Sequence, residues 1–178
     1  MDMRLDCRIK YGHMVITTNQ HQHLDEKDRR ILALVQRDAK LAQAEIARHV
    51  RLSPAAVNER LRKLESAGFI RRYVALVDHR AIGVGVTAFV EVFIEHPRFE
   101  PQFIERMLGL DEVQECHHIT GEFSLLLKVR VRDMEALQQF LIHGVNGIEG
   151  VRQTRTIIAL STSKEECFVP TGTPGGPS

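Results

Sequence analysis

Apolar residues first recur with a helical period, and the pattern changes to strands and helices in alternation from about Thr87. Over Glu26 to Arg37, Ile31, Leu34 and Val35 fall at i, i+3 and i+4, the buried stripe of an amphipathic helix. Asp25 stands at its N-cap and Asp28 adds a first-turn carboxylate. A second helix is predicted over Gln43 to His49, burying Ala44, Ile46, Ala47 and Val50, behind Ala42, a weak capping residue. Arg51-Leu52 makes the turn. The third helix opens on Ser53 as N-cap with Pro54 at its first position, where a missing N–H costs nothing. Val57, Leu61 and Leu64 form its buried face, and Gly68 ends it as a left-handed C′ residue. Phe69 to Val77 then alternates as an extended segment containing a basic strand, Arg71-Arg72-Tyr73.

After a joining stretch, Asp78 to Gly85, the order read is strand (Thr87–Ile94), helix (Phe99–Leu108) and strand (Val113–Ile119). A turn (Thr120–Glu122), strand (Phe123–Val131), helix (Asp133–His143) and strand (Val151–Leu160) follow. That is βαββαβ, the ferredoxin-like pattern. The expected fold class is α+β, a winged helix-turn-helix domain joined to a ferredoxin-like domain. The boundaries expected are 1–23, a flexible extension; 24–73, the helix-turn-helix; 74–86, a linker and hinge; 87–162, the α+β domain; and 163–178, a flexible Pro/Gly/Thr tail.

Charge sharpens this division. The net charge of +1 hides 12 Lys and Arg against 7 Asp and Glu over 24–73, and 9 against 14 over 74–178. A basic half suits a nucleic-acid face, and an acidic half is kept off it. No apolar run approaches the roughly 20 residues of a membrane span, and Arg4, Asp6, Arg8 and Lys10 interrupt any signal-like core. A cytoplasmic location is the expectation. Cys7, Cys116 and Cys167 are few, odd in number and far apart, which indicates neither a disulfide framework nor a CxxC metal site.

The third helix is the candidate DNA reader. Ala55, Ala56, Asn58, Glu59, Arg62 and Lys63 lie off its apolar stripe and can face the major groove. Small residues at 55 and 56 allow close approach to the bases. Asn58 suits an adenine edge and Arg62 a guanine. Ser53 and the amides beside Pro54 can meet a phosphate, as can Arg51, Arg71 and Arg72, which would give register and salt dependence. Thr120-Gly121-Glu122 reads, from spacing alone, as a plain hairpin turn. It is also a place where backbone amides could hold a small carboxylate and Glu122 an ammonium group. Cys116-His117-His118 puts only two groups on one strand face, too few for zinc. Gly83-Val84-Gly85 precedes a strand, so it reads as a hinge and not as a dinucleotide fingerprint. No nucleophile–base arrangement stands out, so neither an enzyme nor a cofactor is indicated.

With those residues in hand, the chain resembles the Lrp/AsnC family, the leucine-responsive or feast/famine regulators. The resemblance covers about Leu24 to Lys164 and rests on LDEKDRRIL, LSPAAVNERLRKLESAGFIRRY, ECHHITGEFSLLLKVRVRDM and GVRQTRTII. It implies a transcriptional regulator of amino-acid metabolism that binds double-stranded promoter DNA. It further implies homodimers, often assembled to octamers, and an amino-acid effector held between C-terminal domains. It reassigns the 120–122 turn to the effector loop, with Gly121 backbone on the carboxylate, Glu122 on the amino group and Ser124 beside them. Two departures stand out. Ser124 occupies a position where members commonly have Asp, and Ala42 one that usually holds a Ser cap. With no extra charged partner near the loop, a small or aliphatic amino acid such as alanine or leucine is the expected effector. An effector-independent architectural DNA-binding protein is the alternative. Siroheme decarboxylases, which resemble the same two-domain architecture, are a remote one.

Overall fold

The structure, a computed structural model, describes residues 24–172, so the expected N-terminal extension lies outside the described residues. The described chain forms two compact units. One is Val77–Lys164; the other comprises 24–76 together with 165–172.

In the first of these along the chain, three helices pack on one another: α1 (Glu26–Arg37), α2 (Gln43–Val50) and α3 (Pro54–Ser66). Helix α1 starts in a full capping box. The Asp25 carboxylate accepts the Asp28 N–H at 2.7 Å, and Asp28 accepts the Asp25 N–H at 3.2 Å. Helix α2 starts at Ala42 with no side-chain cap. Its last turn closes on Arg51, whose φ of +54° is left-handed, an uncommon posture for a residue with a side chain. Helix α3 is capped by Ser53, whose side chain accepts the Ala56 N–H at 3.2 Å, and is stopped near Gly68 at φ +77°. The core is Ile31, Leu32, Ile46, Ala47, Val50, Val57, Leu61 and Leu64. Each large aliphatic member contributes about 1.5–3 kcal/mol relative to exposure. Ala44, expected in this core, is exposed, because two residues of helix turn it about 200° away from Ile46.

The second unit is a four-stranded antiparallel sheet with helices on one face. Its elements are β1 (Val86–Ile94), a 3₁₀ turn (Pro97–Phe99), α4 (Glu100–Leu108), β2 (Val113–His118), β3 (Leu125–Val131), α5 (Met134–Gln139) and β4 (Val151–Ile158). The spatial order β2-β3-β1-β4 is that of the ferredoxin-like fold. Alternation puts Ala88, Val90, Val92 and Ile94 of β1 with Leu125, Leu127, Val129 and Val131 of β3 under Phe103, Met107, Leu137 and Phe140. Several expected bounds shift by one or two residues, β4 for example ending at Ile158 and not at Leu160, and two shifts bear on the site and the core. Strand β3 begins at Leu125 and not at Phe123, although the Ser124 N–H still reaches the Val92 carbonyl of β1. The helix expected to reach His143 is α-helical only to Gln139, then winds more widely over Phe140–Asn146. Phe140 and Val145, five apart, are both buried there, which suits i→i+5 bonding. Among the described residues, no helix is long and apolar enough to cross a membrane.

Candidate nucleic-acid interface and ligand loop

On α3, Ala55, Asn58, Glu59, Arg62 and Lys63 are exposed, as are Ser53, Pro54 and Arg51 at its start. Ala56 is half-buried and lines a shallow depression with Asp28, Arg60 and Phe69, so it stands at the edge of the candidate groove face and not on it. Gln43 Nε2 donates to Asn58 Oδ1 at 3.2 Å, which orients the carboxamide; that oxygen has a second lone pair for an adenine edge. Glu59 and Lys63 form an exposed i,i+4 pair at 3.5 Å, worth little on a solvated face.

Arg60 is not part of that face. Its guanidinium reaches Asp28 at 2.6 Å and Asp25 at 2.7 Å, so it ties α3 to the start of α1 and sets the angle at which α3 is presented. Bonds to Asp28 and Asp25 raise its pKa. Burial pushes the Asp25 carboxyl up, but bonds from the Asp28 N–H and Arg60 outweigh it and hold the group below its ordinary value.

The expected wing strand at Arg71-Arg72-Tyr73 is not formed: residues 71–78 carry no strand, since a strand needs a hydrogen-bonded neighbour. The segment is nevertheless anchored. The Ile70 N–H donates to the Leu64 carbonyl at 3.1 Å, and the Tyr73 hydroxyl donates to Glu65 Oε1 at 2.9 Å. Burial, then the Glu65 carboxylate, pushes the phenol up to about 12. Between these anchors Arg71 and Arg72 stand exposed beside the end of α3.

In the other unit, Thr120, Gly121 and Glu122 are exposed at the tip of the β2–β3 loop and Ser124 is half-buried at its base. The loop is pinned by main chain: the Ile119 N–H donates to the Ser124 carbonyl and the Ser124 N–H to the Val92 carbonyl, both at 3.0 Å. Gly121 has φ +124°, a region that side chains rarely adopt, and a Cβ there would meet nothing within 4 Å. Gly121 itself is exposed.

Two further residues lie beside this loop that sequence reasoning did not find. Phe123 is buried under the loop, with the Arg155 guanidinium 5.0 Å from its ring centre. Arg155 is held by Glu91, its register partner across β1 and β4, and also feels the Glu122 carboxylate. The bond from Arg155 holds Glu91 below its ordinary pKa. A carboxylate is thus exposed at the tip, and an arginine already paired with Glu91 stands at the base.

Cys116 lies on the helix-facing side of β2, packed on the core, where burial pushes its thiol up to about 11. His118 shares that side, 3.8 Å from Glu100, and His117 takes the other, 3.1 Å from Glu115. Among the described residues no three His, Cys, Asp or Glu side chains form a metal-sized group. Gly83-Val84-Gly85 follows a tight turn, closed by Val84 N–H to His79 carbonyl at 2.8 Å.

With this geometry in view, the likenesses divide along the same line. Residues 24–71 match the family profile described as winged helix-turn-helix DNA-binding, and residues 87–167 match the Lrp/AsnC ligand binding domain. The chain is 37% identical over 144 residues to the leucine-responsive regulatory protein of Escherichia coli K12, covering 80% of this chain and 88% of that one. Among solved structures it resembles a transcriptional regulator of Neisseria meningitidis in complex with L-Met, with TM-score 0.81 and 30% identity over 84% of this chain and 98% of that one. It also resembles AsnC of E. coli, with TM-score 0.77 and 29% identity over 82% of this chain and 98% of that one.

Proposed function

The chain belongs to the Lrp/AsnC family, DNA-binding transcriptional regulators with a ligand-binding domain and not enzymes, and from that premise we propose that it reads promoter DNA of amino-acid metabolism under control of an amino acid. The observation that carries the effector half is the pinned loop with Gly121 at φ +124° and open space beyond it. Backbone at Gly121 takes the effector carboxylate and Glu122 takes its ammonium group. Thr120 and Ser124 flank them. One relative is named for leucine and another was solved with methionine, which supports an apolar side chain on the effector.

DNA is held by the exposed face of α3 (Ala55, Asn58, Glu59, Arg62, Lys63), with phosphates on Arg51, Ser53 and the amides after Pro54. Arg71 and Arg72 add sequence-independent grip. Ala56 borders this face. The protein works as a homodimer in the cytoplasm, where its DNA lies. The sheet face opposite the helices supports the dimer. Phe89, Phe93, Leu126 and Ile157 lie there, on the side away from α4 and α5, with the pairs Glu91–Arg155 and Glu115–Lys128. Assembly to an octamer multiplies the DNA contacts by avidity.

A thermal-shift scan against the twenty amino acids tests this reading. A ligand at about 100 times its Kd stabilises the native state by about 2.7 kcal/mol. One or a few apolar amino acids are expected to raise Tm, and Gly121→Val is expected to abolish the rise while DNA affinity stays unchanged. No rise with any amino acid would replace the sensor by an architectural protein.

A further inference from the structure

Residues 165–172 return to the DNA-binding unit and lie along α1. Gln36 is engaged at both ends of its carboxamide by one tail residue. Its Nε2 donates to the Val169 carbonyl at 3.1 Å, and its Oε1 accepts the Val169 N–H at 2.8 Å. Seven positions earlier on the same helix face, Arg29 Nη1 donates to the Thr171 carbonyl at 2.8 Å. The Arg37 guanidinium lies 5.6 Å from the ring centre of Phe168. Three side chains of one helix surface thus each hold a different residue of one extended segment.

The local sequence suits the task. Val169 precedes Pro170, which biases it to the extended backbone that turns its N–H and C=O sideways. Gln36 then does for Val169 what a neighbouring strand would do. At Gly172, with φ +70°, a Cβ would sit 3.4 Å from Arg29 Nη1, so the close approach continues past the last hydrogen bond.

The consequence is topological. The DNA-binding unit meets the rest of the chain at two places, after Leu76 and before Glu165. A unit on one flexible connection swivels over the connection's full reach, and a second connection closes a loop and narrows that reach. We propose that residues 165–172 are a strap that clips onto α1 in the same chain, and that this second attachment limits which separations of DNA half-sites a dimer can bridge. The second clause rests on the dimeric DNA-binding reading above. The first does not.

The experiment applies two readouts to the full-length protein and to its variants Gln36→Ala and Val169→Pro. Gln36 is exposed and Val169 lies in the tail, so neither change touches the core, and the tail variant leaves α1 itself intact. Hydrogen exchange of the tail amides needs no DNA. Protection of the Val169 amide of about tenfold or more in the parent, lost in Gln36→Ala, is expected. Equally fast exchange of that amide in the parent and in Gln36→Ala overturns the strap. Protection that survives when chains of the two kinds are mixed only as hetero-pairs, with the tail on one and intact Gln36 on the other, overturns attachment within one chain. The second readout is affinity for operators whose half-sites are moved by about 5 base pairs, half of the roughly 10.5 base-pair repeat. The released variants are expected to bind these several-fold better relative to native spacing than the parent does. An unchanged spacing profile after loss of protection overturns the limiting role. A parent that binds no DNA overturns the DNA reading instead, while the exchange result still decides the strap.

Discussion

Gly150 carries a constraint that no hydrogen-bond inventory conveys. It sits at φ +89° before β4, and its carbonyl accepts the Glu95 N–H at 2.9 Å. A Cβ built there would fall 2.4 Å from Phe99 Cγ and 2.5 Å from its Cβ. The ring has nowhere to retreat cheaply, because its own Cβ is one of the colliding atoms. Gly150→Ala therefore combines backbone strain with overpacking and is expected to cost about 2–4 kcal/mol. Urea unfolding of the variant checks this, and a loss under 0.5 kcal/mol would contradict the geometry. Gly121 is the opposite case. It also has positive φ, but its surroundings are empty, so a substitution there meets backbone strain without a clash. The glycine in Thr120-Gly121-Glu122 was legible as a turn residue from sequence. The partner at its base was not. Arg155 meets Phe123 and Glu91 only through the register of β1 on β4, and alternation alone does not specify which residue of another strand lies opposite.

At the scale of elements, the helices were legible to the residue where local chemistry sets them. Helix α1 runs over Glu26–Arg37 as its stripe and capping carboxylates predict, and Ser53-Pro54 opens α3. What sequence could not supply were partners far along the chain. The Arg60 bonds to Asp25 and Asp28, and the tail bonds to Gln36 and Arg29, join residues 32 to 142 positions apart. Tail composition reads as mobile because it has no apolar stripe, yet its main chain is held by helix side chains. Ala42 shows a gap that both views share. Its φ of −63° and ψ of 141° already have the shape of an N-cap, but it offers no acceptor. Ala42→Ser is expected to stabilise the protein by about 1 kcal/mol, read as a higher unfolding midpoint, and to leave DNA affinity unchanged. A neutral result would mean that the first turn of α2 is satisfied by water. Helix α3 and the segment after it should separate in function. Arg62→Ala is expected to cost about 1–3 kcal/mol on specific DNA and little on random DNA. Arg72→Ala should weaken both alike and lower the salt slope by about 1 per site. Titrations on both DNAs at several salt concentrations distinguish them, and equal losses for both variants would defeat the division.

For the whole molecule, the proposed dimer rests on the sheet face opposite α4 and α5. On it, Phe93 and Ile157 are exposed and Phe89 and Leu126 half-buried, with ion pairs set between them. A face of this kind is stable in water only at low apolar area, and pairing it with a second copy removes that area while the Glu91–Arg155 and Glu115–Lys128 pairs fix the register. Ile157→Asp places a carboxylate there twice over, once from each subunit across a two-fold axis, and each copy would have to be desolvated. On the proposed dimer, the parent is expected to sediment as a dimer and the variant as a monomer at the same concentration, with helix content retained. Its DNA affinity should fall about 10²-fold or more, because one recognition helix loses the effective concentration supplied by the other. A dimeric Ile157→Asp protein would move the interface elsewhere. A monomer that keeps full affinity would show that a single α3, with Arg71 and Arg72 beside it, is enough to hold DNA.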